Sequence, residues 1–137
     1  AVTSTSSTVT LNTGLTGSYS LFLVSENGEL QNKISCSGSS CTFTKPASSF
    51  FVAINKHNYF PYVLYYSDDH YIQDITFDYN AYYSSTPIAI GEVVTNTRTY
   101  GDVLLKSGNK LYIKNGSGGV RVEDWFECEQ GSVLEIK

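Results

Sequence analysis

Tyr19-Ser20-Leu21-Phe22-Leu23-Val24 runs directly into Ser25-Glu26-Asn27-Gly28. Branched and aromatic side chains at this density suit a pleated, half-buried strand and lose rotamer freedom in a helix. Asn-Gly is a strong short hairpin signal, because both residues tolerate left-handed dihedrals. The stretch therefore predicts a strand that turns back on itself. On its N-terminal side, Val9-Thr10-Leu11 reads as a short strand ended by Asn12-Thr13-Gly14. On its C-terminal side, strands are predicted at 30–34, 41–44 and 50–54, separated by Gly/Ser or Pro-containing turns. Hairpin-linked strands at this spacing predict an antiparallel sandwich of immunoglobulin type over residues 9–78, entered by a Ser/Thr-rich linker over 1–8. A Cys…Trp…Cys framework is missing, so an antibody-type domain is not expected.

Composition points the same way. Val, Ile, Thr, Tyr, Phe and Trp total 51 of the 137 residues, against 15 Ala and Leu and no Met. The whole chain reads as all-β. Only 16% of residues are charged, and polarity comes instead from 18 Ser, 13 Thr and 9 Asn. Nine basic against thirteen acidic residues exclude a basic nucleic-acid footprint. No apolar run approaches the roughly 18 residues of a membrane-spanning helix. A start at Ala1 without Met or a charged and apolar leader suggests a mature or excised fragment.

From Ile72 onward the strands shorten and glycine punctuates them. Apolar pairs recur as Ile88-x-Ile90, Val103-x-Leu105, Leu111-x-Ile113, Val120-x-Val122, Phe126-x-Cys128 and Leu134-x-Ile136. Each is too small to bury its face alone. Stacking two strands per layer, with Gly91, Gly101, Gly108, Gly116, Gly119 and Gly131 at the corners, is the expected solution over residues 79–137. The second module is thus read as a stacked short-strand, β-solenoid-like assembly.

Of three cysteines, Cys36 and Cys41 bracket Ser37-Gly38-Ser39-Ser40. If that loop closes a hairpin, the two sulfurs face each other and can bridge. Cys128 alternates with Glu127 and Glu129, which predicts an inward, buried, slowly reacting thiol. No second close pair or nearby histidine gives zinc spacing, and no cofactor is indicated.

Two stretches carry a resemblance. Phe51-Val52-Ala53-Ile54-Asn55-Lys56-His57-Asn58-Tyr59-Phe60-Pro61-Tyr62 resembles the strand and corner of immunoglobulin-like modules that follow the catalytic domains of gingipain-type secreted cysteine peptidases. That resemblance covers residues 9–66, and in the family this corner is structural. Gly101-Asp102-Val103, Lys106-Ser107-Gly108, Leu111-Tyr112-Ile113-Lys114 and Gly119-Val120, followed by Phe126-Glu127, Gly131-Ser132 and Leu134-Glu135-Ile136-Lys137, look like the repetitive C-terminal stretch of secreted or surface proteins of anaerobic Gram-negative bacteria. It covers residues 86–137. The family places Gly before the Phe, where Trp125 stands here, which leaves the turn at 124–126 open.

The only histidines are His57 and His70, with no Gly-x-Ser-x-Gly elbow, so no catalytic residues are assigned. Asp68-Asp69-His70 with Asp74 and Asp78 is the best acidic cluster for calcium, but it lacks EF-hand spacing and reads as solvated turns. The aromatic segment 59–83 is the most suggestive feature. Tyr59, Tyr62, Tyr66, Tyr82 and Tyr83 are its candidate contacts, for a module interface or for stacked sugars. The expectation is a non-catalytic accessory or structural module, secreted or on the outer cell surface. The resemblance implies an upstream cysteine peptidase domain as its partner. The alternative is an adhesin or carbohydrate-binding module whose partner is a glycan.

Overall fold

The computed structural model describes residues 2–4, 7–46, 49–56, 62–114 and 116–137, with side chains from residue 7 onward. Every element among them is a strand, so the chain is all-β. It divides into two compact units, Ala1–Tyr66 and Ser67–Lys137. The division lies upstream of the 78/79 boundary expected from sequence.

In the first unit, β1 (Val2–Ser4), β2 (Thr8–Asn12) and β5 (Ser40–Thr44) form one antiparallel sheet in the order β1-β2-β5. The linker expected over 1–8 is corrected here, since β1 pairs with β2 from Val2↔Leu11 to Ser4↔Val9. A second antiparallel sheet runs β7-β6-β3-β4, from β3 (Ser18–Ser25), β4 (Leu30–Ser37), β6 (Phe50–Asn55) and β7 (Tyr62–Ser67). The β3–β4 hairpin closes at Asn27-Gly28, with Gly28 at φ 90° and its N–H donating to Ser25 O at 3.0 Å. Alternation with period two decides what is buried. Val9 and Leu11, Leu21 and Leu23, Cys41 and Phe43, and Phe50, Val52 and Ile54 are all inside. The Phe43 ring meets Phe50 edge-on at 6.0 Å, one side chain from each sheet.

The bond between Cys36 and Cys41 is present, but its setting differs from the hairpin expected. Cys36 pairs with Tyr19 in β3, whereas Cys41 pairs with Leu11 in β2. The two strands belong to different sheets, so the bridge spans them where the chain crosses at 37–40.

The second unit makes three passes of three strands. The first pass is β8 (Tyr71–Ile72), β9 (Ile75–Phe77) and β10 (Asn80–Tyr83). The second is β11 (Ile88–Ile90), β12 (Val103–Leu105) and β13 (Lys110–Ile113). The third is β14 (Val120–Val122), β15 (Phe126–Cys128) and β16 (Val133–Ile136). Each strand pairs in parallel with its counterpart one pass on: β8-β11-β14, β9-β12-β15 and β10-β13-β16. Three strands per layer, not two, is therefore the repeat. Residues 71–77, assigned by sequence to the first module, supply two strands of the first pass.

The register stacks inward side chains into columns. Ile72, Ile90 and Val122 form one, Phe77, Leu105 and Cys128 another, and Tyr83, Ile113 and Ile136 a third. The first two members of each column are buried. No described strand pairs beyond the third-pass members, and Val122 is 53% and Ile136 46% exposed. Cys128 is exposed for the same reason, correcting the expectation of a buried thiol. Alternation identified its inward direction and carries no information on whether a neighbouring strand covers it.

The corners repeat as well. Between β12 and β13, Asn109 N–H donates to Lys106 O at 3.2 Å, and between β15 and β16, Ser132 N–H donates to Glu129 O at 3.0 Å. Gly108 and Gly131 sit in these turns at φ 83° and 89°, where a Cβ is strained, and Gly108 N–H donates to Gly131 O at 3.1 Å. The corners before β9 and β15 also need positive φ. Asp74 takes 53° there and Trp125 takes 67°. Asp tolerates that region, whereas a bulky residue in it is an outlier. Trp125 is 65% exposed and loses little burial on truncation. Trp125→Gly is therefore expected to stabilise the chain by about 1 kcal/mol, read as a raised thermal midpoint. An unchanged or lower midpoint would refute the strain argument.

An ion-pair cluster spans neighbouring passes. Glu135 pairs with Lys110 and, at 2.6 Å, with Lys137. Hydrogen bonding from Lys110, then Lys137, holds the Glu135 carboxyl below the usual carboxylate range. A carboxylate depressed on folding contributes stability above its unfolded value, near about pH 4, and that contribution is lost as pH falls through the folded value. Acid titration of the folded chain should show this component at low salt, and Glu135→Gln should remove it. A Gln variant with an unaltered acid limb would show that the cluster contributes nothing.

Candidate functional site

The described tyrosines expected as contacts differ in burial. Tyr59 lies outside the described residues, together with His57, Asn58, Phe60 and Pro61 of the corner motif. Tyr62 opens β7 and is partly exposed. Tyr66 is buried in the first unit, its ring stacked on Phe50 at 5.0 Å. Tyr82 is 1% exposed and stacks on Tyr112 at 5.1 Å and 18°. Tyr83 is buried edge-on to Phe77 at 6.2 Å. Tyr66, Tyr82 and Tyr83 are thus core residues, which corrects their reading as ligand contacts. The reason is local: β7 buries its last four residues, Leu64 to Ser67, and β10 its last three, Ala81 to Tyr83, so alternation fails in both.

Tyr71 of the same segment is exposed. Tyr71, Ala89 and Arg121 are in register across β8, β11 and β14. Their neighbours Ile72, Ile90 and Val122 point inward, so these three share the outer face. Ala89 is the small floor between a tyrosine ring and a guanidinium. A cavity of about 530 Å³ lies here, walled further by His70 and Pro87. His70 Nδ1 is 2.7 Å from Pro87 O. A carbonyl only accepts, so Nδ1 is the donor in this contact. Arg121 Nε is 2.7 Å from Glu123 Oε1, which sets a donor fork beside an acceptor.

The loop 91–102 is fastened beside this face by residues that sequence reasoning passed over. Gln73 is buried, and its Oε1 accepts from Val94 N–H at 2.9 Å and Thr95 N–H at 3.0 Å. Its Nε2 donates to Thr99 O at 2.9 Å. Arg98 donates to Tyr71 O at 3.1 Å and pairs with Asp69. The one available signal was a polar Gln directly after Ile72 in an apolar pass. The Asp68–Asp78 cluster is dispersed: Asp69 is held by Arg98, and Asp74 occupies a corner under Gly101. Among the described residues, no group of three or more His, Cys, Asp or Glu is placed to hold a metal ion.

A second cavity, about 560 Å³, lies in the first unit against Ser18, Ser20, Ser35, Ser37 and Lys56. The Lys56 ammonium donates to Thr16 O and, at 3.4 Å, to Ser18 O, so its charge serves the local backbone. Cys128 is the free thiol. Partial desolvation raises its pKa, opposed by a hydrogen bond with Ser132. Among the described residues, no helix is long and apolar enough to cross a membrane.

Comparison with protein-family models, curated proteins and solved structures finds no match to this chain.

Proposed function

We propose that this chain is a non-catalytic accessory module of a secreted or cell-surface protein. In this reading it combines an immunoglobulin-like sandwich with a β-solenoid of three passes. The observation that carries it is the Cys36–Cys41 bond joining two sheets, since such bridges persist in oxidising compartments outside the cytosol. The register-locked columns of the second unit supply a stiff surface on which another domain can pack. The resemblance implies that this domain is a cysteine peptidase preceding the chain. Removing residues 1–137 from such a parent should leave kcat/KM within about twofold while shortening its thermal half-life. Peptide hydrolysis by the isolated chain, or a parent inactive without it, would overturn the reading.

The Tyr71–Ala89–Arg121 face favours a second reading, carbohydrate binding. A tyrosine ring offers an apolar face to a pyranose, while Arg121 and Glu123 present a donor and an acceptor to adjacent hydroxyls. The cavity volume falls in the range of about 300–1,000 Å³ typical of small-ligand sites. Acid and base are balanced around it, which suits a neutral sugar better than an ion. A glycan array should give neutral-oligosaccharide hits that both Tyr71→Ala and Arg121→Ala abolish. An array without hits would end this reading and leave the first untouched.

A further inference from the structure

In the first unit, Tyr19, Leu21, Cys36 and Ile54 are buried, so the residues between them on β3, β4 and β6 point away from the core. The register aligns Asn55, Ser20 and Ser35 in one row across the three strands, and Ser18 beside Ser37 in the next. On the other side of the first row Phe22 pairs with Lys33, whose ammonium lies 5.7 Å from the ring centre. Lys56 closes the opposite end, where its ammonium donates to Thr16 O and Ser18 O. The cavity of about 560 Å³ lies over the serine rows. Ser18, Ser35, Ser37 and Asn55 are exposed there, and Ser20 is half-buried.

We propose that this patch binds an acidic saccharide. Charge selects the acidic group. Glu26 and Glu29 are the only acidic residues in 1–66, and both stand at the β3–β4 turn. Glu26 is about 20 Å of extended strand away from Ser20. That is well past the Debye length of about 8 Å at physiological ionic strength. Carbonyl oxygens orient the Lys56 ammonium without neutralising it, and the Phe22 ring does the same for Lys33. Hydrogen bonding selects the sugar. Four serine hydroxyls and the Asn55 amide each donate and accept, as sugar hydroxyls do, whereas a bare oxyanion uses donors alone. The cavity volume is that of a small-ligand site. The patch shares no residue with the Tyr71–Ala89–Arg121 face, and the proposal stands apart from the reading given to that face.

The test is calorimetric titration of the intact chain with short oligosaccharides of dextran sulfate, of galacturonate and of unsubstituted dextran. At least one acidic probe is expected to bind with Kd of about 0.1–1 mM, and unsubstituted dextran is not. Which acidic probe binds tells sulfate ester from carboxylate. Ser20→Ala combined with Ser35→Ala should weaken binding by at least about fivefold. Lys33→Gln should weaken it by about threefold or more and flatten its salt dependence. These side chains are exposed or half-buried on the outer face, so the variants keep the fold. Lys45→Gln removes a cation that follows β5 of the other sheet, and it should leave Kd within about twofold. Tyr71→Ala should leave it equally unchanged, which separates this site from the second-unit face. The chain's net charge of -4 opposes adsorption of polyanions in general. The proposal is overturned if neither acidic probe binds or if unsubstituted dextran binds as well. A serine pair variant without effect, or a loss in Lys45→Gln as large as in Lys33→Gln, would overturn it too.

Discussion

Replacing Tyr82 by alanine should destabilise the second unit by about 3–4 kcal/mol, the cost of deleting a large buried ring and leaving a cavity. Tyr82 is fully buried in β10, and its ring lies on Tyr112, which the β10–β13 register sets directly beside it. Lys110 holds its ammonium 5.5 Å from the Tyr112 ring centre, so the stack continues outward as a cation over an aromatic face. Tyr82→Phe keeps the ring and should cost far less, which separates packing from the hydroxyl. The measurement is chemical denaturation of both variants, with the second-unit transition moving to lower denaturant for alanine alone. An alanine variant within about 1 kcal/mol of the parent would place Tyr82 at the surface and revive its role as a ligand contact. Loss of glycan binding in Tyr82→Ala would by itself say nothing about a site, because the variant disturbs the core that supports Tyr71.

The strands themselves were legible. All five expected in the first half, and the six apolar pairs of the second, occur where period-two alternation and glycine turns place them. Asn27-Gly28 closes the β3–β4 hairpin through the left-handed glycine its sequence announces. Pairing was not legible, because it is set by contacts distant in sequence. β8 has only two residues, and the strandless stretch 91–102 separates β11 from β12, so the spacing of the pairs conceals a three-strand repeat. Direction was readable where burial was not. Cys128 does point along the column of Phe77 and Leu105, yet it is exposed because no described strand pairs with β15 on its far side. The outward trio Tyr71, Ala89 and Arg121 is invisible to any local pattern, since each residue comes from a different pass. Trp125 is the converse case: the resemblance expects glycine at that position, and the positive φ there shows what the glycine would serve.

Opening the Cys36–Cys41 bond is expected to lower the stability of the first unit by about 2 kcal/mol, the loop-closure contribution of so short a ring. The residues are five apart in sequence and their Cα atoms 5.8 Å apart. For a unit of this size that corresponds to a fall of about 10 °C in its melting midpoint. Both sulfurs sit in well-covered positions at the crossing between sheets, where serine replacements leave a hydroxyl among apolar neighbours, so the double Cys→Ser variant should fall at least as far as the reduced protein. Because the bond spans two sheets, its loss should also loosen the Ser37–Ser40 crossing and speed amide exchange at Gly38, whose N–H donates to Gly17 O at 3.1 Å. Thiol titration fixes the starting state. Unreduced protein should show one reactive thiol per chain, and should show it without denaturant too, since Cys128 is exposed. Its raised pKa puts the faster reaction at alkaline pH, where the thiolate forms. Three thiols in unreduced protein would mean that the bridge is open and that the compartment argument built on it fails; one thiol with an unshifted midpoint after reduction would mean that the two sheets hold together without it.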